Sequence, residues 1–130
     1  MAAGTGRALF CALMNATGLR VLLVNCNTPM DNLIPAGVSI LSAVLKAEGC
    51  QVRCFDTTFY RPAGVLTGDE ARAMSLQVKR TSFDELGIRP RPTRAADDFR
   101  RLVEDWRPDL IGFSVIECTW ELGRELARAA

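Results

Sequence analysis

The chain has 130 residues, room for one domain, and 48% of it is apolar, enough to build a core. Its formal net charge is +1 and it contains no histidine. The first removes a global electrostatic case for nucleic acid or an anionic membrane. The second excludes catalytic triads, most catalytic zinc centres and every histidine-ligated metal.

No run approaches the roughly 20 apolar residues that a membrane span needs. Ala8 to Met14, after Arg7, is a short apolar stretch with no convincing cleavage site, so no export and a cytoplasmic location are expected. Residues 1–18 read as a flexible extension ahead of the first strand. Leu19 to Asn25 is an almost continuous aliphatic run, which suits a strand covered on both faces in a parallel sheet. Cys26 to Ile34 supplies loop chemistry, with Asn, Thr, Pro and Asp close together. Pro35 opens a helix, since its missing N–H costs nothing in the first turn. Val38, Leu41, Val44, Leu45 and Glu48 follow helical spacing, Ile40 widens the apolar stripe, and Gly49 stands where a helix ends in a left-handed residue.

Gln51 to Asp56 is the second strand, parallel to the first through a right-handed crossover. Residues 57–96 then read as an insertion, too long for an ordinary connection, in which Ser82 to Glu85 has capping-box spacing. Arg72, Lys79, Arg80 and the basic segment Arg89 to Arg94 read as solvated surface. Asp97 and Asp98 suit a helix start, Phe99, Leu102, Val103 and Trp106 form its stripe, and Pro108 ends it. Leu110 to Ile116 is the third strand, and Glu121 to Ala130 begins another helix with Leu122 and Leu126 on one face. The fold class is therefore α/β, flavodoxin-like (Rossmann-like), a three-layer parallel sheet of three strands in order 2-1-3. It is expected to be incomplete, because the third strand would expose an apolar edge that two further strands normally cover.

Open α/β sheets bind ligands outside the carboxyl ends of their strands, where strand order reverses. Here that point lies between the first and third strands, lined by Cys26 to Gly37 and Ser114 to Trp120. No glycine lies between Asn25 and Asn32, which excludes a dinucleotide fingerprint and a P-loop. A phospho-receiver's acidic pair after the first strand is also missing. Asp56 reads as a turn residue. The five cysteines show no paired C-x-x-C, which favours reduced thiols. Cys50 and Cys54 form C-x-x-x-C, but Thr57 stands where an iron–sulfur motif needs its third cysteine, and alternation of Cys50, Val52 and Cys54 favours packing on one strand face.

The stretches Asn32-Leu33-Ile34-Pro35-Ala36-Gly37-Val38-Ser39, Phe55-Asp56-Thr57-Thr58-Phe59-Tyr60 and Pro108-Asp109-Leu110-Ile111-Gly112-Phe113-Ser114 resemble, in type and order, the cobalamin-binding domain at the amino terminus of cobalamin-dependent radical S-adenosylmethionine proteins. The resemblance runs from about Leu19 to the end. That family often carries D-x-H-x-x-G after the first strand. With its glycine on Gly37, Asn32 takes the aspartate position and Ile34 the histidine position, so no cobalt ligand comes from this motif. Loss of that histidine is common in the radical branch.

The resemblance implies a cobalamin (corrinoid) partner whose nucleotide tail is buried in the fold. Ser114 would hydrogen-bond that tail, Ile116 stands for the leucine of the family's S-x-L pattern, and Gly37 would admit the tail closely. Asn27, Thr28, Leu33 and Ile34 would meet the corrin face, and Glu117 and Thr119 its propionamides. The family's later glycine pair has no counterpart. Each role has a structural competitor: Gly37 as a close helix–sheet contact, Ser114 as a cap for strand backbone, Ile34 as packing. A radical S-adenosylmethionine domain is the implied partner in a full-length protein, often a methyltransferase. This chain is expected to have no iron–sulfur cluster and no catalytic activity alone. The alternative is a flavodoxin-like fragment that acts as an interaction or structural module.

Overall fold

Val21, Leu22, Leu23 and Val24 are all buried, and because side chains alternate along a strand, both faces of that strand must be covered. The computed structural model describes residues 18–28, 35–60, 72–77, 79, 85 and 87–130. Its elements are β1 (Arg20–Asn25), α1 (Ala36–Ala47), β2 (Gln51–Asp56), α2 (Ala95–Trp106), β3 (Leu110–Ser114), a 3-10 turn (Glu117–Thr119) and α3 (Trp120–Ala129). The strands form one parallel sheet in order β2-β1-β3, the flavodoxin-like arrangement read from the sequence. Of the expected extension at residues 1–18 all but Gly18, and of the capping box at Ser82 to Glu85 all but Glu85, lie outside the described residues.

The register sorts the sheet into two faces. Val21 and Leu23 pack with Val52, Cys50, Val38 and Leu45, so α1 covers this side. Leu22, Val24 and Cys26 pack with Phe55, Phe99 and Leu126, so α2 and α3 cover the other. Phe99 is fully buried and stacks edge-on against Phe55, 5.2 Å between ring centres. Two crossovers that leave the central strand's neighbourhood in opposite directions place their helices on opposite faces, as observed.

Helix α1 departs from expectation. Only Val38 is buried and Leu45 half-buried, whereas Ile40, Leu41 and Val44 are 65%, 54% and 53% exposed. The stripe is wider than the surface that β1 and β2 offer it. In a right-handed β1–α1–β2 crossover, the flank carrying Leu41 and Val44 faces the side of β3. No helix among the described residues covers that side of β3, and Leu110 there is 48% exposed. Cys54 also departs: it shares the α1 face with Cys50 and Val52, but it lies exposed on the outer strand.

The other boundaries follow their residues. Gly49 ends α1 with φ +83°, and Asp97 and Asp98 occupy the first turn of α2. Arg107 closes α2 in the left-handed region at φ 49°, immediately before Pro108. The residue chain after β2 is tied back to α2. Tyr60 donates its hydroxyl to Asp98 Oδ2 at 2.9 Å, and the Arg91 amide donates to the Phe59 carbonyl at 2.8 Å. Arg20 and Asp109 clamp the opposite end, where the Arg20 amide donates to Asp109 Oδ2 at 2.8 Å and holds that carboxyl below its usual range. No helix among the described residues is long and apolar enough to cross a membrane.

Gly123 marks the closest approach of α3 to the sheet: a Cβ there would sit 2.5 Å from Val115 Cγ1 and 3.5 Å from Cys26 Sγ. Gly123→Ala is therefore expected to lower stability by about 1–3 kcal/mol, the usual cost of overpacking, as read from the urea midpoint. Arg107→Gly should raise stability by about 0.5–1 kcal/mol in the same measurement, because a left-handed backbone strains an L side chain.

Candidate functional site

The polypeptide leaves β1 at Asn25 and re-enters helical structure at Ala36, while β3 ends beside it at Ser114. The Cys26 amide donates to the Ser114 carbonyl at 3.0 Å, so the two strands stay paired one residue past the ladder. Above that point they part, because each leads into a connection on an opposite face. The result is a crevice of about 240 Å³ lined by Asn25, Cys26, Asn27, Pro35, Ala36, Gly37, Val38, Ser114 and Ile116. It sits where strand order reverses, the position expected of a ligand site in this architecture.

The turn after β1 is held by Thr57, which is 1% exposed. The Thr57 hydroxyl accepts from the Asn27 amide at 2.8 Å and donates to the Asn27 carbonyl at 2.7 Å, with the Asn25 carbonyl a second acceptor at 3.2 Å. The Thr57 amide also donates to the Asn25 carbonyl at 3.2 Å, so amide and hydroxyl together tie the turn after β1 to the end of β2. Next to it, the Thr58 hydroxyl donates to Asp56 Oδ1 at 2.5 Å and accepts from Asn27 Nδ2 at 3.0 Å. A hydroxyl has one proton, so Thr58 can only accept from Asn27. That fixes the Asn27 amide with its nitrogen on Thr58 and its carbonyl turned away. Asn27 is 4% exposed, and its Oδ1 has no hydrogen-bond partner among the described residues.

The start of α1 supplies the opposite polarity. No side chain caps it, and its first turn holds no acidic residue. The leading N–H groups of a helix have no intrahelical acceptor, so this end carries unmatched donors. Gly37 lies in this turn without the usual reasons for glycine. Its backbone is not left-handed, and a Cβ there would meet no described atom within 4 Å. Close helix–sheet packing, the structural competitor read from the sequence, is set aside. Glycine at an ordinary helical position costs about 1 kcal/mol relative to alanine. The Ser114 hydroxyl makes no hydrogen bond to a described residue, which removes the strand-capping alternative.

Of the residues singled out from the sequence, Asn27, Gly37, Ser114 and Ile116 meet in the crevice. Thr28 is buried beside it and does not line it, and Glu117 is exposed on the 3-10 turn. Thr119 is fully buried, and its hydroxyl is occupied by the Ile116 backbone, accepting from the amide at 3.0 Å. Its place is therefore within the turn. Asn32, Leu33 and Ile34 lie outside the described residues. Cys26 falls in the lining loop read from the sequence, whereas Asn25 and Thr57 were passed over. Thr57 drew notice only as a missing cysteine, although a threonine one residue past a strand is well suited to bind a neighbouring turn.

Among the described lining residues, Cys26 carries the one ionisable side chain. Burial pushes the Cys26 thiol up to about 11, so it is protonated at neutral pH and not a thiolate. Among the described residues no set of three or more cysteine, aspartate or glutamate side chains is placed to hold a metal ion. No family model matches the chain, and neither a curated protein nor a solved structure matches it.

The thiol gives a measurable pH dependence. Its folded value lies above the ordinary 9.0, so the stability it confers is complete below pH 9 and is lost as pH rises toward 11. Urea unfolding of the native chain should weaken across that interval by up to roughly 2–3 kcal/mol more than unfolding of Cys26→Ala. Equal slopes for the two proteins would contradict this assignment.

Proposed function

We propose that the chain binds a corrinoid, cobalamin, as the amino-terminal part of a cobalamin-dependent radical S-adenosylmethionine protein. The observation that carries this reading is the crevice between β1 and β3, with Gly37 in its lining and no described atom within 4 Å of where a Cβ would stand. At about 240 Å³ it falls just below the 300–1,000 Å³ typical of sites that engulf a whole ligand. It suits one arm of a large cofactor, with the macrocycle lying across the rim. Asn27, Gly37, Ser114 and Ile116 would hold the arm, and Ser114 would hydrogen-bond it.

When bound, a corrinoid supplies a cobalt centre able to carry a methyl group. The chain's own residues would anchor the cofactor, orient it by its trailing arm and shield that arm from water. With no histidine in the sequence, the protein offers no imidazole to the metal. The location of this chain in the cytoplasm belongs to the same proposal.

A second reading, a non-catalytic interaction module, draws on a different observation: among the described residues no strand pairs with the outer edge of β3, beside exposed Leu110 and the exposed flank of α1. An unpaired strand with apolar neighbours is a template for another chain.

The two readings separate in one experiment. The full chain is mixed with hydroxocobalamin, passed through a desalting column and examined by visible spectroscopy, with cobinamide, which lacks the nucleotide tail, as control. Near-stoichiometric retention of cobalamin but not cobinamide is expected. Gly37→Trp should abolish retention with the far-ultraviolet circular dichroism unchanged, because the indole would fill the open space. A colourless, folded protein that sediments as a dimer would favour the second reading. Undiminished uptake by Gly37→Trp would refute the tail-slot assignment.

A further inference from the structure

We infer that Thr57 is the positioning residue of the crevice: its hydroxyl, standing in for its own carbonyl, carries the β1–β2 pairing one step past the strands and presets the side of the crevice formed by Asn25, Cys26 and Asn27. The consequence for a ligand rests on the corrinoid reading, whereas the brace itself is read from hydrogen bonds that lie behind the lining.

The register leads here. Asn25 stands opposite Asp56, so the next rung of the parallel ladder would set Thr57 opposite Cys26. In such a rung residue 57 donates its amide to the Asn25 carbonyl and accepts the Asn27 amide on its own carbonyl. The first bond is made, at 3.2 Å. The second is not, because the Thr57 carbonyl accepts the Tyr60 amide at 3.0 Å, in the turn by which the chain leaves β2. The Asn27 amide donates instead to the Thr57 hydroxyl at 2.8 Å, and that hydroxyl donates to the Asn27 carbonyl at 2.7 Å. The chain can therefore turn away after β2 while the residues that follow β1 stay anchored.

The anchored residues are those of the site. On their other side the Cys26 amide donates to the Ser114 carbonyl at 3.0 Å, so Asn25, Cys26 and Asn27 are held by the end of β3 and by Thr57 together. Thr57 is not among the lining residues and is 1% exposed, so its effect on a ligand passes through Asn25 and Asn27. Valine has the shape of threonine without the oxygen. It would keep the packing and leave the Asn27 amide and carbonyl facing a methyl group. Serine keeps the oxygen and with it both bonds.

The test joins amide hydrogen exchange and cobalamin uptake in the full chain, in Thr57→Val and Thr57→Ser, and in Tyr60→Phe. The last removes the hydroxyl that bonds Asp98 and keeps the amide that bonds Thr57, so it lowers stability without touching the brace. In Thr57→Val the Asn27 amide should exchange at least about tenfold faster relative to that of Val24, whose rate follows global unfolding. The dissociation constant for hydroxocobalamin should rise by about the same factor. Thr57→Ser and Tyr60→Phe should match the native chain on both measures. An unchanged Asn27 rate in Thr57→Val would overturn the proposal, as would faster exchange with undiminished uptake, or a Thr57→Ser variant as impaired as Thr57→Val. The native chain gives a check that needs no variant to fold: its Asn27 amide should be protected nearly as well as that of Val24. Exchange there as free as in an exposed loop would also overturn the proposal. If the native chain takes up no cobalamin while the exchange pattern holds, the corrinoid reading falls and the brace stands. Uptake without the exchange pattern does the reverse.

Discussion

Burial of β1 on both faces is the constraint from which the rest of the molecule follows. Val21 and Leu23 need cover on one side, Leu22 and Val24 on the other, so helices must flank the sheet on both sides. A strand in that position is central, and its neighbours must be reached by crossovers running in opposite directions. The chain therefore diverges above Asn25 and Ser114. The crevice is a by-product of that divergence, present before any side chain is chosen to line it.

What the side chains add is polarity without charge. Thr57 holds the turn after β1 to the end of β2, and Asp56 draws Thr58 and Asn25 toward itself. The proton order along Asp56, Thr58 and Asn27 then leaves one carbonyl unmatched. Such an unmatched group in a buried wall costs on the order of 1–3 kcal/mol.

The architecture was legible in the sequence because it depends on patterns of the right period. The aliphatic run at Val21 to Val24, the aspartates before Phe99 and the glycine at the end of α1 each have one simple structural solution. The rim of the sheet was legible for a similar reason, since its place follows from strand order alone. Two things were hidden. The apolar stripe of α1 gave its width but not how much of it would be covered, which depends on elements beyond β1 and β2. The role of Thr57 was hidden because a hydroxyl's value lies in its two partners, Asn25 and Asn27, some thirty residues earlier. Periodicity reports burial; it does not report who bonds to whom. The Arg107 left-handed cap escaped notice for the same kind of reason, as Pro108 predicts that α2 stops but not how.

The outer edge of β3 has a consequence for how the protein behaves as a material. Among the described residues no strand pairs with it on that side, and Leu110 and the flank of α1 nearby are exposed. Strands of this kind seed growth by addition of like strands, one ladder at a time. Turbidity and yield should then depend on protein concentration far more steeply than a net charge of +1 alone would dictate.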